Sequence, residues 1–148
     1  MRRQRRPRDR RAAGQSLVEF ALVFPVLIIL LIAIFDLGRL VFAYNDITNA
    51  AREGARVGII NQTTATIKSE VVSQATSLGL VAADVTVTYA DADSPSSPCS
   101  SNPPTTLDCL VVVTVAYDWQ AITPIIGNIV GPITVTSISE MPIERVFP

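Results

Sequence analysis

The most prominent pattern in the chain is a long apolar run near its N-terminus. Residues 20–35 contain no charged side chain, and apolar residues continue on both sides of this run. A helix over 16–44 would be roughly 40 Å long, enough to cross a hydrocarbon core of ~30 Å. The pattern therefore predicts a transmembrane helix over 15–44. Cleavage as a secretory signal peptide is disfavoured, because the helical pattern continues through the small residues Ala33 and Ala43.

The periodicity changes beyond Arg39 but stays helical. Small and apolar residues recur at alternating intervals of four and three, while polar and charged residues occupy a different side: Leu40, Tyr44, Ile47, Ala51, Gly54 and Gly58 form the apolar side. This spacing predicts an amphipathic extension of the same helix over 45–60. Its narrow apolar side is suited to packing on a small domain or on sister helices.

The remaining residues, 61–148, predict a small extracytoplasmic α+β head. Residues 64–78 have helical periodicity, and Gly79 is placed to end that helix. Three segments either alternate apolar with polar residues or are rich in β-branched residues. This pattern predicts strands over 84–90, 110–119 and 133–139. We therefore expect an α+β fold in which the long helix packs on a roughly three-stranded antiparallel sheet.

An apolar segment, QAITPIIGNIVGP at 120–132, separates the second and third predicted strands. Its prolines and glycines interrupt any regular element. It could be a hydrophobic loop that touches a membrane or a partner. It could also be a loop or short helix that folds back over the sheet, and the small core expected of such a head favours this second interpretation.

Charge is distributed unevenly along the chain. Residues 1–14 contain seven arginines and one aspartate, whereas the rest of the chain contains five basic and twelve acidic residues. The arginines predict a basic leader that stays in the cytoplasm while the C-terminal part is exported. An acidic head argues against nucleic acid as a partner, because phosphate binding requires clustered cations on the folded surface.

The two cysteines, Cys99 and Cys109, both follow the apolar helix and enclose a short loop rich in proline and serine. In an exported head they are expected to form a disulfide, which would stabilise the fold by about 3 kcal/mol. A zinc site is not expected from two sulfurs in a chain without histidine. We expect no catalytic residues, metal or cofactor, because histidine-based triads and glycine-rich phosphate loops are both absent from the sequence.

Gly14 and Glu19 form the motif that most needs a chemical explanation. Gly14 ends the basic leader, and Glu19 is the fifth residue after it, just inside the apolar helix. A carboxylate at this depth costs roughly 2–3 kcal/mol if it is unpaired. Glu19 either pairs with a cation or extends its side chain to the lipid headgroups, and the residues alone favour neither.

This arrangement resembles the processing site of type IV prepilins and pseudopilins. The resemblance implies that a prepilin peptidase cuts between Gly14 and Gln15, leaving glutamate at the fifth position of the mature chain. It also implies that Glu19 makes an assembly contact with the new amine of Gln15 on a neighbouring subunit, and this favours the paired interpretation. Glycine gives a peptidase unhindered access to the backbone.

The resemblance narrows further over GQSLVEFALVFPVLIILLIAIFDLGRLVF at 14–42 and NAAREGARVGI at 49–59, which are similar to TadE-like proteins. That family implies a pseudopilin of the tight-adherence (Flp) pilus system, anchored in the cytoplasmic membrane. The implied partners are the lipid bilayer, the prepilin peptidase, other pilins and the assembly platform. The alternative function is a signal-anchored extracytoplasmic binding module whose uncleaved helix is only a tether.

Three further pairs of residues have open interpretations. Asp36 and Arg39 lie where the helix should leave the membrane, and they either form an ion pair or are solvated. Arg52 and Arg56 lie one turn apart and form an interface with lipid phosphates or an assembly partner, or they are simply solvated. Tyr117 and Trp119 alternate at the end of a strand and are expected in the core or an interface.

Overall fold

The computed structural model of the protein describes residues 10–146. Its helices and strands follow in the order α1 (Arg10–Gly58), α2 (Thr64–Gln74), β1 (Val85–Asp91), β2 (Cys109–Trp119), α3 (Pro124–Val130) and β3 (Ile133–Pro142). The strands form one antiparallel sheet in the order β1-β2-β3. The predicted α+β fold, a long N-terminal helix with a three-stranded antiparallel sheet, is confirmed.

Helix α1 begins before the predicted start of the transmembrane helix. It already includes residues 10–14, the end of the predicted leader, whereas residues 1–9 of that leader lie outside the described part of the chain. The sequence RRAA at 10–13 explains the early start, because arginine and alanine are among the strongest helix formers. The bond between Gly14 and Gln15 therefore lies inside a helix.

The second half of α1 forms one side of the hydrophobic core. It contacts α2, β2 and β3, and its buried residues are mostly alanines: Ala43, Ile47, Ala50, Ala51 and Ala55. This buried surface is broader than the predicted narrow side, because the helix contacts both the sheet and α2. Tyr44, predicted on the apolar side, is half exposed.

Two glycines set how closely α1 approaches its neighbours. A Cβ atom on Gly54 would lie 2.3 Å from Cγ2 of Val71 in α2, and one on Gly58 would lie 2.7 Å from Cγ2 of Val111 in β2. Both distances are far below a van der Waals contact between carbons, so neither position has room for a side chain. Both glycines therefore allow α1 to approach α2 and β2 closely within the chain.

The sheet buries one face against the helices. In β2 the valines at alternate positions, Val111, Val113 and Val115, are fully buried, as the two-residue period of a strand requires. Ile67 and Val71 of α2 complete this layer. A short 3₁₀ turn (Thr76–Leu78) follows α2, and Gly79 ends it with a left-handed φ of 66°, so the glycine stop predicted from the sequence is confirmed.

The end of the head farthest from residue 36 is closed by covalent and backbone links. Cys99 and Cys109 form a disulfide across ten residues, and the amide of Ile143 donates to the carbonyl of Cys109 at 3.0 Å. The amides of Glu144 and Arg145 both donate to the carbonyl of Ile59. These contacts fasten the C-terminal segment to the end of α1.

Candidate functional site on the N-terminal helix

The first half of α1, residues 14–35, is exposed along its whole length except for the half-buried Ala33. Its large side chains are apolar on every side of the helix, and Leu22 and Phe35 are both more than two-thirds exposed. Among the described residues this is the one helix long and apolar enough to cross a membrane. A helix that is apolar all round requires an apolar environment, and its own head does not supply one.

The predicted processing and assembly residues lie together at the start of this exposed half. Gly14 is exposed, and a Cβ added there would meet nothing within 4 Å. The amide nitrogen Nε2 of Gln15 donates to Oε1 of Glu19 at 3.2 Å, across one helical turn. Among the side chains that the structure describes, none forms an ion pair with Glu19. Because a Cβ at position 14 would meet nothing, the fold itself does not require glycine there.

Asp36 is the first polar residue after the exposed half, and it is only 4% exposed. Its carboxylate accepts hydrogen bonds from the amides of Ile122 and Thr123, each at 3.2 Å, and from the Thr123 hydroxyl at 2.6 Å. Arg39 lies 3.5 Å from the same carboxylate. We call these four residues the Asp36 clip. It joins α1 to the connection between β2 and β3.

The sequence analysis found the Asp36–Arg39 pair but missed the other two members of the clip. Thr123 precedes Pro124 at the start of α3, which is a typical helix-start signal, yet its side chain makes no capping hydrogen bond. Its hydroxyl donates to Asp36 instead. The Thr-Pro pair could have indicated the start of α3, but not a partner 87 residues earlier in the chain.

A shallow apolar groove adjoins the Asp36 clip. It is lined by side chains from α1, β2, α3 and β3: Ala33, Leu37, Leu40, Trp119, Val130 and Ile133. Trp119, the single tryptophan of the chain, is buried here, and Tyr117 packs partly buried against the core. Both were expected in the core or an interface. The short helix α3 occupies the segment predicted as a loop or short helix, but its start is bonded to α1.

Arg52 and Arg56 are exposed on the side of α1 that faces away from the core. Arg56 lies 3.6 Å from Glu53, an ion pair open to solvent, and such pairs contribute little to stability. The structure of the single chain therefore gives these arginines no structural role that would require them.

These features define the chain as an α+β protein with a candidate N-terminal membrane anchor. Residues 14–56 match the family model described as TadE-like protein. This match confirms the resemblance to TadE-like proteins found in the sequence, and that family suggests an association with the Tad pilus. It begins at Gly14 and covers α1 almost to its end. Neither the curated proteins nor the solved structures gave a match.

The family also limits the chemistry that the chain is expected to perform. TadE-like proteins are a structural family of pilus assembly and are not known as enzymes. Within the part of the chain that the structure describes, no group of three or more histidine, cysteine, aspartate or glutamate residues is placed to hold a metal ion.

Proposed function

We propose that this protein is a pseudopilin or minor-pilin-like subunit for the assembly of tight-adherence pili. It is held in the cytoplasmic membrane by the first half of α1 and is cut by a prepilin peptidase between Gly14 and Gln15. The observation that carries this proposal is the carboxylate of Glu19. It lies exposed on an apolar half-helix, five residues after the glycine at which the family match begins.

Cleavage at this bond requires local unwinding, because Gly14 and Gln15 lie in the first turns of α1. Glycine eases that step, since it disfavours a helix by roughly 1 kcal/mol relative to alanine. An exposed glycine with no neighbour within 4 Å also leaves the backbone open to a peptidase. A need for access during processing explains a glycine that packing does not require.

Processing is tested by N-terminal sequencing of the protein from cells that contain a prepilin peptidase. We expect the mature chain to begin at Gln15. Gly14→Val should block the cut, whereas the adjacent Ala13→Val should not, because only the first places a branched side chain at the cut bond. Intact protein beginning at Met1 in such cells, or cleavage at another bond, would refute the processing step.

After the cut, the amine of Gln15 and the carboxylate of Glu19 become candidates for an ion pair. The new N-terminus of a helix carries a partial positive charge in addition to its amine, and both favour a nearby carboxylate. In a weakly polar environment this attraction offsets the cost of removing Glu19 from water. An amine supplied by a neighbouring subunit would make the same pair an assembly contact.

Glu19→Gln tests this contact, because it removes the charge and keeps the shape. We expect normal processing but loss of pili counted by electron microscopy, since the amine of a neighbour would have no charged partner. Glu70→Gln removes a partly exposed carboxylate from α2 and should leave the pilus count unchanged. Normal piliation with Glu19→Gln would leave Glu19 as a residue that merely reaches the headgroups.

The charge and the disulfide support the proposed membrane topology. The seven arginines of residues 1–14 favour a cytoplasmic N-terminus, and the Cys99–Cys109 disulfide suits an extracytoplasmic head. Of the predicted span over 15–44, we assign 15–35 to the bilayer, because Asp36 and Ala43 are buried against the head. If the protein is an assembly subunit, exchange of 15–35 for an unrelated span should abolish assembly. If the helix is only a tether, the function of the protein should survive the exchange.

Arg52 and Arg56 are proposed to contact an assembly partner. Arg52 is sixteen residues beyond Asp36 in α1, which places it about 24 Å farther along the helix axis. Arginines at this height cannot reach phosphates at the membrane surface. This height favours an acidic surface on another pilin or on the assembly platform over lipid.

A further inference from the structure

We infer that the membrane-proximal end of the head, formed by the α3 segment (residues 120–132) with Leu37 and Ile133, rests in the outer surface of the lipid bilayer. We call this region the base of the head. Its occupant is lipid, contacted through apolar side chains. The inference rests on the membrane anchoring assumed in the proposed function and adds a second, separate membrane contact.

The length of the span sets the height of the base. From Gln15 to Asp36 the helix α1 rises about 32 Å, which matches a hydrocarbon core of ~30 Å. With Gln15 at the cytoplasmic boundary, Asp36 lies at the opposite boundary of the bilayer. Any segment fastened to Asp36 is thus held at the level where the head meets the lipid.

The Asp36 clip fastens the α3 segment at this level. The amides of Ile122 and Thr123 and the Thr123 hydroxyl all donate to the Asp36 carboxylate. The side chains of Ala33 and Leu37 also line the same groove as Val130 of α3. The two ends of the α3 segment therefore both lie beside the outer end of the span.

The base exposes apolar surface where lipid would be. Ile122 is 70% exposed and Val130 is 52% exposed, and both lie beside the outer end of the exposed half of α1. Leu37 and Phe35 of α1, on either side of Asp36, are exposed as well, at 60% and 73%. The apolar exterior of the span thus extends onto the head.

The charge pattern favours contact with lipid acyl chains at the bilayer surface over contact with anionic headgroups. Between Asp118 and Glu140 the sequence contains no charged residue, and Arg39 is engaged by Asp36. A patch without free cations gains its affinity from buried apolar area, with little attraction to acidic lipids. Binding should accordingly be insensitive to salt and to the anionic lipid fraction.

The test measures contact with lipid by tryptophan quenching in the full-length protein. Trp119 is first replaced by phenylalanine, which leaves a chain without tryptophan. Single tryptophans are then introduced by Ile122→Trp in the base, by Ile60→Trp at the far end of the head, and by Val23→Trp in the span. Each protein is reconstituted into phosphatidylcholine vesicles with and without bromine on the acyl chains, since bromine quenches tryptophan only at contact.

Ile60 is the matched control, because it is the same residue type, is 55% exposed and lies beyond the end of α1. Gly58 is already about 33 Å along the axis from Asp36. We expect bromolipids to reduce the emission of the Ile122→Trp protein at least twofold and to leave the Ile60→Trp protein unchanged. The quenching should be the same at low and high salt.

The span variant separates failure of the inference from failure of the anchor. If Val23→Trp is quenched and Ile122→Trp is not, the base does not touch lipid, although the anchor is in place. If neither is quenched, the anchoring in the proposed function also fails. Val130→Trp repeats the measurement at a second position of the base, so that a folding defect of one variant does not decide the result. The tryptophans at both base positions could instead be unaffected by bromolipid and become shielded from water as the protein density in the vesicles rises. That result would mean that a second copy of the chain covers the base, and it would overturn the inference.

Discussion

The two halves of helix α1 have the same secondary structure but opposite relations to the rest of the chain. Residues 14–35 are rich in large aliphatic and aromatic side chains, and almost all of them are exposed. Residues 36–58 are rich in alanine and glycine, and one side of them is buried against the sheet and α2. The change between the two occurs at Asp36.

This difference shows how one helix can serve two surroundings. Large apolar side chains gain little by packing on a small head, but they suit lipid or neighbouring helices. Small residues let a sheet and a second helix approach the backbone closely, so that the head folds around the helix. Substitutions that reverse either property should therefore have very different effects in the two halves.

The largest effect on stability is expected from filling the close contact at Gly54. Gly54→Val should lower the free energy of unfolding by about 3 kcal/mol, the upper part of the range for overpacked cores, because its Cβ would overlap Val71. Urea unfolding of the protein in detergent micelles, followed by the emission of Trp119, measures the change.

Gly38→Val is the matched control for this prediction. Gly38 lies in the same helix, is exposed, and has nothing within 4 Å of an added Cβ. The Gly38→Val protein should therefore have a urea midpoint close to that of the unsubstituted protein. Equal midpoints for the two variants would mean that α1 does not approach α2 as closely as described.

A smaller and more local effect is expected at the boundary between the halves. Asp36→Asn keeps the size of the side chain but removes the charge that Arg39 and the donors of Ile122 and Thr123 share. Hydrogen exchange should become several-fold faster at the amides of Ile122 and Thr123, while the amides of β2 stay protected. Asp46→Asn, an aspartate on the head half of α1, should not change the exchange of those two amides.

The smallest effect is expected inside the head, far from the boundary. The Tyr89 hydroxyl donates to the carbonyl of Gln62 at 2.7 Å, so Tyr89→Phe should lower the free energy of unfolding by about 1 kcal/mol. Tyr44→Phe changes a half-exposed tyrosine and should be neutral. Calorimetric melting of the three proteins at neutral pH measures both differences.

Tyr89 also predicts a dependence on alkaline pH. Burial raises the pKa of Tyr89 above its usual value, so the unfolded chain loses this proton before the folded chain does. The contribution of Tyr89 to stability is thus complete below a pH of about 10, the ordinary tyrosine pKa, and is lost as the pH rises above it. Tyr89→Phe should weaken this alkaline loss, and an unchanged loss would assign it to other groups.

Much of this architecture follows from local patterns. The long helix was predicted because apolar residues continue past the width of a bilayer, and all three strands were predicted from β-branched alternation. Helix α1 ends at Gly58, two residues before the predicted end. Gly79 is also the stop that the sequence predicts. These features depend on neighbours in the sequence, so the sequence contains the information needed to find them.

The Asp36 clip was not predictable in the same way. Asp36 and Thr123 are 87 residues apart, and nothing near Asp36 in the chain distinguishes a buried carboxylate from a solvated one. The breadth of the buried side of α1 was likewise underestimated, because it depends on α2 and the sheet together. Both features arise only when distant segments meet.

The sequence by itself determined the leader charge, the glycine-to-glutamate spacing, the apolar span and the order of helices and strands, because each is a property of composition or short-range periodicity. Only the tertiary structure decided which half of α1 the head covers and where the α3 segment is fastened. The physical reason is that burial and hydrogen-bond partners depend on the packing of segments far apart in the chain, which brings a threonine of the β2–β3 connection to an aspartate of the helix.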